Sequence, residues 1–375
     1  MGHRILYIPR QSTTPINLEF ITEWNLPSGN FTFPTANEGT FDAVIDWGDG
    51  TATSVITAYN DANLIHNYTS SGTYQIIITG SFPRMWVNNN ADVKTKLTKV
   101  IQWGDVGFLS FAGAFYGCVN LISLPDSSIT GATGVTVNAF YRTFYGCTGL
   151  TSIPTDLFRY CTLVSTSGFL ETFLGCTSLT SIPTDLFRYN TLVSTSGFYG
   201  TFSTCTSLTS IPTDLFRYNT LVSTSGFAYT FRNNTGLTSI PADLFRYNTL
   251  VSTSGFTYTF YGCSNLAAVP ANLFRYNTLV STSGFAYTFT GCVKLQLNRN
   301  IFYADGEQST RFLNQSISFN ACFLRNSFTG IQGEAPDLWN CDFGTGTPIT
   351  TRCYANSGNS LTSLSNYADI PAGWK

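Results

Sequence analysis

The chain has 375 residues, of which 43% are hydrophobic and 15% aromatic, and this is enough apolar material for a large buried core. Only 11% of the residues are charged and the formal net charge is -2, which leaves no basic stripe for neutralising phosphates, so we expect no nucleic-acid partner. The opening MGHRILYIPR is too short an apolar run for a Sec-type signal, and no run approaches the ~18 residues of a membrane span, so we expect a soluble chain without membrane insertion.

Residues 1–14 are interpreted as an N-terminal arm, and residues 15–103 as a small antiparallel β-sandwich. Stretches such as FDAVIDWGDGTATSVITAY alternate apolar and polar residues between glycine-rich turns, which is typical of antiparallel strands. The string DWGDGT at 46–51, followed by HNY at 66–68 and GTY at 72–74, is similar to PKD-type immunoglobulin-like domains. The resemblance implies a spacer domain of the kind common in extracellular proteins.

The DWGDGT turn carries two carboxylates. Asp46 and Asp49 offer oxygen ligands to a calcium ion, but two carboxylates are few for such a site. The alternative is a turn in which Asp49 accepts hydrogen bonds from backbone amides and Trp47 packs inside the sandwich. We therefore assign no metal site. His66, one of two histidines in the chain, has no nucleophile motif near it, so we expect a structural role for it.

The chain then repeats every 29 residues. Near-identical copies such as LTSIPTDLFRYNTLVSTSGFYGTFSTCTS cannot bury their apolar faces alone, so they are predicted to stack around one core. The opening leucines are Leu121, Leu150, Leu179, Leu208, Leu237, Leu266 and Leu295, and two phenylalanine columns begin at Phe111 and Phe115 with the same step.

Each unit is predicted to contain one strand and two helical segments. LTSIP is interpreted as a very short strand that Pro154 ends, because proline has no N–H to donate. TDLFRYN is interpreted as about two helical turns with Asn190 as a left-handed exit, and GFxxTFxGC as another helical turn after a permissive Gly168. Leu150, Ile153, Leu157, Phe169 and Phe173 are the predicted core of one unit.

Six of the ten cysteines lie on the 29-residue lattice, at Cys118, Cys147, Cys176, Cys205, Cys263 and Cys292, and Asn234 occupies the missing point. A disulfide partner cannot be exchanged for asparagine, whereas a small buried residue that bonds to a neighbouring loop can. We therefore expect buried, unpaired thiols rather than a disulfide scaffold.

The pattern FxGCxxLxxIP, seen as FYGCTGLTSIP and FLGCTSLTSIP, resembles the BspA-like leucine-rich repeats of bacterial surface proteins and some bacteriophage proteins. The resemblance covers roughly residues 97–295, with the join at KLTKVIQWG, and this unit departs from the commoner shorter one by its extra LFRYNTLVSTSG. It implies a mixed fold in which the β-sandwich is followed by an α/β leucine-rich-repeat solenoid at 104–295. Residues 296–375 are interpreted as degenerate repeats and a C-terminal cap, with Trp374 as a lid.

Two surfaces are candidate binding sites. The constant one consists of two columns, Arg159, Arg188, Arg217, Arg246 and Arg275 with Tyr160, Tyr189, Tyr218, Tyr247 and Tyr276. Arginine and tyrosine are common in contact surfaces, but an Asp–Arg spacing of three and the constancy of the columns also favour stacking between units. The variable one follows each Gly-Phe, where flanking residues are predicted to point outward: Leu170, Glu171, Tyr199, Tyr229, Arg232, Tyr258, Tyr261 and Tyr287.

No arrangement of catalytic residues, phosphate-binding loop or CxxC pair is present, so we expect no enzyme activity and no cofactor. We interpret the chain as a recognition or adhesion protein that binds a host-surface glycan or protein through its repeats. The family resemblance favours a bacteriophage virion component, either tail-fibre or capsid-attached, on the virion or extracellular surface. The alternatives are a purely structural virion or filament protein that contacts neighbouring virion subunits or forms a homo-oligomer, and a bacterial cell-surface adhesin.

Overall fold

The computed structural model describes residues 18–130, 132, 134–325, 333–355 and 364–375. The predicted N-terminal arm at 1–14, with His3, lies outside these residues, as do the first three residues of the C-terminal LTSLSNYADIPAGWK segment. The strands are β1 (Phe20–Leu26), β2 (Gly29–Thr32), β3 (Asp42–Asp46), β4 (Ser54–Ile56), β5 (Ile65–Tyr68), β6 (Gly72–Ser81) and β7 (Leu97–Gln102). Helical segments are α1 (Gln308–Arg311) and the 3-10 helices Ala62–Leu64, Leu338–Asn340, Tyr367–Asp369 and Ala372–Trp374.

The N-terminal part is an antiparallel sheet domain, as the alternating pattern predicts. Five strands pair in the order β4-β3-β6-β1-β7, and β2 pairs with β5 in a second, two-stranded sheet. The two sheets meet through aromatic side chains, since the ring centroids of Trp24 on β1 and Phe31 on β2 lie 5.1 Å apart. Both rings are buried, so the apolar side chains of the two sheets share one core.

Strand β7 joins the sheet domain to the repeats. The predicted join at KLTKVIQWG contains Leu97 and Val100, and these pair with Trp24 and Thr22 of β1, which makes β7 the edge strand of the five-stranded sheet. The outer side of β7 also forms a parallel bridge between Lys99 and Ser123. The same strand therefore completes the sheet and receives the first unit.

Consecutive 29-residue units lie side by side and are joined by backbone hydrogen bonds. The N–H of Phe169 donates to the carbonyl of Gly197 in the next unit at 2.9 Å, and Phe198 repeats this bond to Gly226 at 3.0 Å. Phenylalanines of one column stack, with Phe140 and Phe169 at 5.5 Å and 4° between ring planes. The five predicted core residues of the unit that opens at Leu150 are all buried, as expected.

The predicted helical turns are wrong. From the residue before the GFxxTFxGC segment onward, every fourth residue is left-handed, with φ of 52° at Ser167, 54° at Glu171 and 76° at Gly175, and no α-helix passes through such residues. Its N–H groups alternate, so that Phe169 donates to the next unit while Thr172 donates back to the carbonyl of Phe169. Every second N–H group therefore forms a hydrogen bond to the next unit instead of a hydrogen bond along a helix.

The other elements predicted within the unit also differ from expectation. The LTSIP segments of the described units form neither a strand nor a bridge, and isolated parallel bridges at the equivalent positions occur near the ends of the stack, such as Ala268 to Gln296. Asn190 is not left-handed but buried, and the TDLFRYN segment closes with a bond from its N–H to the carbonyl of Phe187, a turn of three residues. A Cβ at Gly168 would lie 2.2 Å from Cγ1 of Val164, so this glycine provides space rather than an unusual φ.

Two buried polar columns tie each unit to the one before it. The Thr172 hydroxyl donates to the carbonyl of Phe140 at 2.8 Å, and Sγ of Cys176 donates to the carbonyl of Phe144 at 3.1 Å. All ten cysteines are buried and unpaired, so the lattice cysteines act as small donors. Asn234 on this lattice accepts from the N–H of Cys205 at 2.8 Å instead. Carbonyls that would otherwise be buried without a partner are satisfied in this way.

Segments outside the regular repeats close both ends of the stack. At the start, the N–H groups of Val87 and Asn89 donate to the carbonyls of Ala114 and Tyr116, which continues the ladder between units into the segment before β7. At the far end the ring of Trp374 packs on Phe319 at 6.0 Å and is buried, consistent with the predicted lid. Terminal elements of a stack are expected to be atypical because they must cover an open core.

Candidate functional site

The variable positions form one continuous surface. We call this surface the variable face; it consists of the side chains that immediately follow the two core phenylalanines of each unit. Phe169 and Phe173 point into the core, and the residues beside them are half-buried on the outside. All eight residues predicted for this surface are on it: Leu170, Glu171, Tyr199, Tyr229, Arg232, Tyr258, Tyr261 and Tyr287.

Four of these residues form a tyrosine row across four units. The ring centroids of Tyr199 and Tyr229 are 5.0 Å apart, those of Tyr229 and Tyr258 are 4.8 Å apart, and those of Tyr258 and Tyr287 are 4.6 Å apart. The last two pairs are nearly parallel, at 11° and 8°. Tyr261 adds a fifth ring, 5.3 Å from Tyr258. The ring faces therefore cover one another, and the row presents ring edges and hydroxyl groups to solvent.

Arg232 lies against this row. Its guanidinium is 5.9 Å from the ring of Tyr229 and 5.4 Å from the ring of Tyr261, within the range of cation–π attraction. The pKa of Tyr199 is raised, mainly by desolvation and next by the neighbouring Tyr229. The pKa of Tyr258 is also raised, mainly by desolvation and next by Tyr287. The hydroxyl groups of Tyr199 and Tyr258 accordingly remain protonated at neutral pH and can donate as well as accept hydrogen bonds.

At three positions of the row the backbone conformation is unfavourable for tyrosine. Tyr229, Tyr258 and Tyr287 are left-handed, with φ of 60°, 57° and 59°, a conformation that costs about 1 kcal/mol or more for a residue with a side chain. The preceding unit has Gly200 at this position, with φ of 60°, and there the ring is supplied by Tyr199, one residue earlier. The aromatic row therefore continues although the residue that carries it changes.

Earlier units continue the variable face with different chemistry. Glu171 does not join the row but pairs with Arg142 of the preceding unit, Nε to Oε2 at 2.6 Å. The Arg142 guanidinium lies 4.9 Å from the ring of Tyr141 and 5.4 Å from that of Tyr145. The sequence analysis missed these three residues because their unit lacks the middle motif, although counting the 29-residue step from Glu171 would have found Arg142. Leu170, also half-buried, lies beside this ion pair.

The constant Arg and Tyr columns stack between units. The guanidinium of Arg159 is 5.9 Å from the ring of Tyr160 and 5.3 Å from the ring of Tyr189 in the next unit, and Arg188, Arg217 and Arg246 repeat both contacts. Arg159 also pairs with Asp156 at 3.3 Å, as the spacing predicts. Where Asn272 replaces this aspartate, Arg275 pairs with Glu307 instead. The two columns are partly exposed but are largely engaged with one another.

A column of exposed leucines is next to these residues in the chain and was not predicted. The side chains of Leu163, Leu192, Leu221, Leu250 and Leu279 are each between 43% and 53% exposed. Val164, directly after the first of them, is buried, so the alternation of Leu and Val was the available signal. An apolar column repeated over five units is a candidate contact surface.

The DWGDGT turn is held by its own hydrogen bonds. Asp49 accepts from the N–H of Thr51 at 3.1 Å and lies 2.8 Å from Nε2 of His66, whose ring stacks on the buried Trp47 at 4.8 Å. Desolvation would raise the pKa of Asp49, but hydrogen bonds from Thr51 and His66 outweigh it and lower the pKa to about 2. One carboxylate oxygen is thus bonded to Thr51 of the turn and the other to His66 of β5. No cluster of three or more His, Cys, Asp or Glu residues occurs in the described part of the chain.

Comparison of the chain with protein-family models, with curated proteins and with solved structures gives no significant match. Within the described ranges, no helix has the length and apolar character that crossing a membrane requires.

Proposed function

We propose that the chain is a non-enzymatic recognition protein, built as a BspA-like leucine-rich-repeat solenoid on a PKD-like domain, and that it binds its partner through the variable face. The side-by-side units with a shared Leu and Phe core support the solenoid proposal. The family resemblance in the FxGCxxLxxIP motif supports a virion setting, with a bacteriophage tail-fibre or capsid-attached protein as the specific candidate.

The tyrosine row is the observation that carries this proposal. A tyrosine at the left-handed positions of Tyr229, Tyr258 and Tyr287 costs backbone energy that glycine would avoid, so packing alone does not account for it. Strained residues that persist on a surface are a reason to propose function there. Tyrosine and arginine are also the residue types that dominate the energy of protein interfaces.

The geometry of the row favours a protein over a glycan as the ligand. Since Tyr229, Tyr258 and Tyr287 cover one another's faces, a sugar ring cannot stack on them without separating the row. Edges and hydroxyls can instead form hydrogen bonds to an extended polar backbone, with Arg232 supplying a positive charge for a carboxylate. A host-surface protein is therefore the preferred partner, and a host-surface glycan is the alternative.

The test uses labelled full-length chain and intact bacterial cells as the probe. Replacing Tyr229 and Tyr258 by alanine together removes the centre of the row, and we expect cell binding to fall by about 10-fold or more. Tyr247→Ala in the constant columns is the matched control and should retain binding. Protease treatment of the cells should abolish binding if the partner is a protein. Binding that the double variant leaves unchanged would contradict the proposal.

The exposed leucine column supports a second candidate function, that of an assembly protein. Five identical apolar side chains in line, including Leu221 and Leu250, suit a neighbouring virion subunit or a second copy of the chain. In that case light scattering should detect an oligomer that dissociates when Leu221 and Leu250 are both replaced by glutamine. If the chain is instead monomeric at high concentration and binds cells, the assembly function is excluded. Recognition then remains as the function, either of a virion protein or of a cell-surface adhesin.

A further inference from the structure

A cleft of about 950 Å³ lies in the N-terminal part of the molecule, away from the tyrosine row. Its walls are β2 with residues 33–35, the segment 59–65, and the segment 86–96. Two aromatic side chains with large exposed areas line it, Tyr59 at 41% and Trp86 at 38%. The volume and the mixture of aromatic and polar walls match those of small-ligand sites.

The wall that carries Trp86 is held by the first repeat unit. The N–H groups of Val87 and Asn88 donate to the carbonyls of Ala114 and Gly113. A Cβ at Gly113 would lie 3.2 Å from Nε1 of Trp86, so the indole rests directly on the repeat backbone. The two residues after Val87, Asn88 and Asn89, are both left-handed, with φ of 44° and 59°. Consecutive residues of this kind are uncommon, and they direct Asn88 into the cleft wall.

Side-chain amides are the commonest polar groups in the lining of the cleft. Asn30, Asn60, Asn88 and Asn90 all line it. The Oδ1 of Asn90 accepts from the N–H of Asp92 at 2.9 Å, which leaves its NH2 group to donate to a ligand. An amide provides both donors and acceptors, which is what a row of hydroxyl groups requires.

Two of the charged groups in the cleft are engaged by the protein. Asp61 accepts from the N–H of Asn63 at 3.0 Å and from the N–H of Thr57 at 2.9 Å, and backbone hydrogen bonds from these two residues lower its pKa. The ammonium of Lys96 lies 5.9 Å over the ring of Phe31. With Asp92 as the third charged residue, the lining holds two acidic groups and one basic group, which does not favour an anionic ligand.

We propose that this cleft binds a short neutral oligosaccharide, with sugar rings packed on Trp86 and Tyr59 and their hydroxyls bonded to the asparagine amides. The apolar C–H face of a pyranose matches an exposed indole or phenol ring, and amphipathic rings of this type suit ligands that are apolar on one side and polar at the edge. The site is separate from the tyrosine row and does not depend on what that row binds.

The experiment screens the full-length chain on an array of neutral oligosaccharides of three to six sugar units and measures affinity for each ligand found. We expect Trp86→Ala to weaken binding by about 10-fold and Asn60→Ala by about 3-fold, because the first loses a stacking ring and the second a hydrogen bond. Trp86→Phe should retain part of the affinity. Tyr160→Ala, which removes an exposed ring on the constant columns, should bind as the unmodified chain does.

Asn60 is exposed, so the Asn60→Ala variant still tests the proposal if Trp86→Ala unfolds the cleft wall. The proposal is overturned if no neutral oligosaccharide on the array binds, or if bound ligands keep their affinity in both Asn60→Ala and Trp86→Phe. The proposal would also be overturned if the chain bound a peptide instead of a sugar and Trp86→Phe weakened that binding. The cleft would then be a site for a protein ligand.

Discussion

The side-chain amide of Asn219 donates to the backbone carbonyl of Asn190, which occupies the same position one unit earlier, at 2.9 Å. The same Nδ2 also donates to the carbonyl of Phe187 at 3.1 Å. Asn248 and Asn277 repeat both bonds, and beyond them Arg311 provides the equivalent donor to the carbonyls of Phe274 and Asn277 at 3.0 and 3.1 Å. This column is therefore a continuous hydrogen-bonded seam that a buried arginine ends.

Removing one member of the seam should destabilise the stack. Asn219→Ala deletes two hydrogen bonds and leaves buried carbonyls without that donor, so we expect the free energy of unfolding to fall by about 2 kcal/mol. Asn219→Cys should cost less, since Cys161 naturally occupies this position and its Sγ donates to the carbonyl of Ile129 at 3.9 Å. Urea unfolding followed by circular dichroism compares the variants. Equal losses in both would contradict the role of the donor, because cysteine keeps a donor that alanine lacks.

The lattice cysteines should be unreactive until the stack opens. Burial raises the pKa of Cys205 and Cys292 to about 12 each, and raises that of Cys147, next to Cys118, well above its ordinary value. Since the thiolate is the reacting form, we expect almost none of the ten cysteines to react with a thiol reagent at pH 8. All ten should react in guanidinium chloride. Fast reaction of several thiols in the native protein would contradict the shared core.

The sequence sufficed to predict which residues are buried in each unit, but not the path of the backbone. A fixed step of 29 residues identifies Leu150 and Phe169 as core positions whatever the local conformation. The left-handed residues could not be predicted in the same way, because serine at 167 and tyrosine at 229 give no sign of a positive φ. Two phenylalanines four residues apart are typical of a helix, yet here the tertiary hydrogen bonds between units override that preference.

The candidate sites divide in a similar manner. The residues of the variable face were predicted from their variation, whereas the stacking of Tyr229 on Tyr258 depends on the distance between units. The cleft beside Trp86 could not be predicted, since its walls come from three segments that are distant in the chain. Only the fold brings Tyr59 and Trp86 to one cavity.

Glycine should be better tolerated than alanine at the strained tyrosines. Tyr258 has a φ of 57°, so Tyr258→Gly should be more stable than Tyr258→Ala by about 1 kcal/mol, which reverses the usual order in regular structure. Tyr247, which is not left-handed, is the matched control, and there alanine should equal or exceed glycine. Thermal unfolding of the four variants measures this. If alanine is the more stable residue at 258, the strain assigned to the row is absent.

Stability at acidic pH should depend on the turn that Asp49 forms. Its pKa is about 2 in the folded chain and 3.8 without the fold, so its stabilising contribution is complete above about pH 4 and disappears as the pH falls through 2. Because the side chain retains some solvent contact, we expect a contribution of about 1 to 2 kcal/mol. Asp49→Asn should therefore be less stable than the unmodified chain at pH 7, by that amount, and nearly equal to it at pH 2.

The comparison between the two chains at each pH removes the effect of other carboxylates, which titrate in both. Asparagine at position 49 can still accept from the N–H of Thr51 but carries no charge for His66, so the difference isolates the ionised carboxylate. Thr51→Val, which deletes the 2.6 Å bond from Oγ1, should show a smaller loss with the same direction of pH dependence. An offset between Asp49→Asn and the unmodified chain that stays constant from pH 7 to pH 2 would show that the turn is held by shape alone.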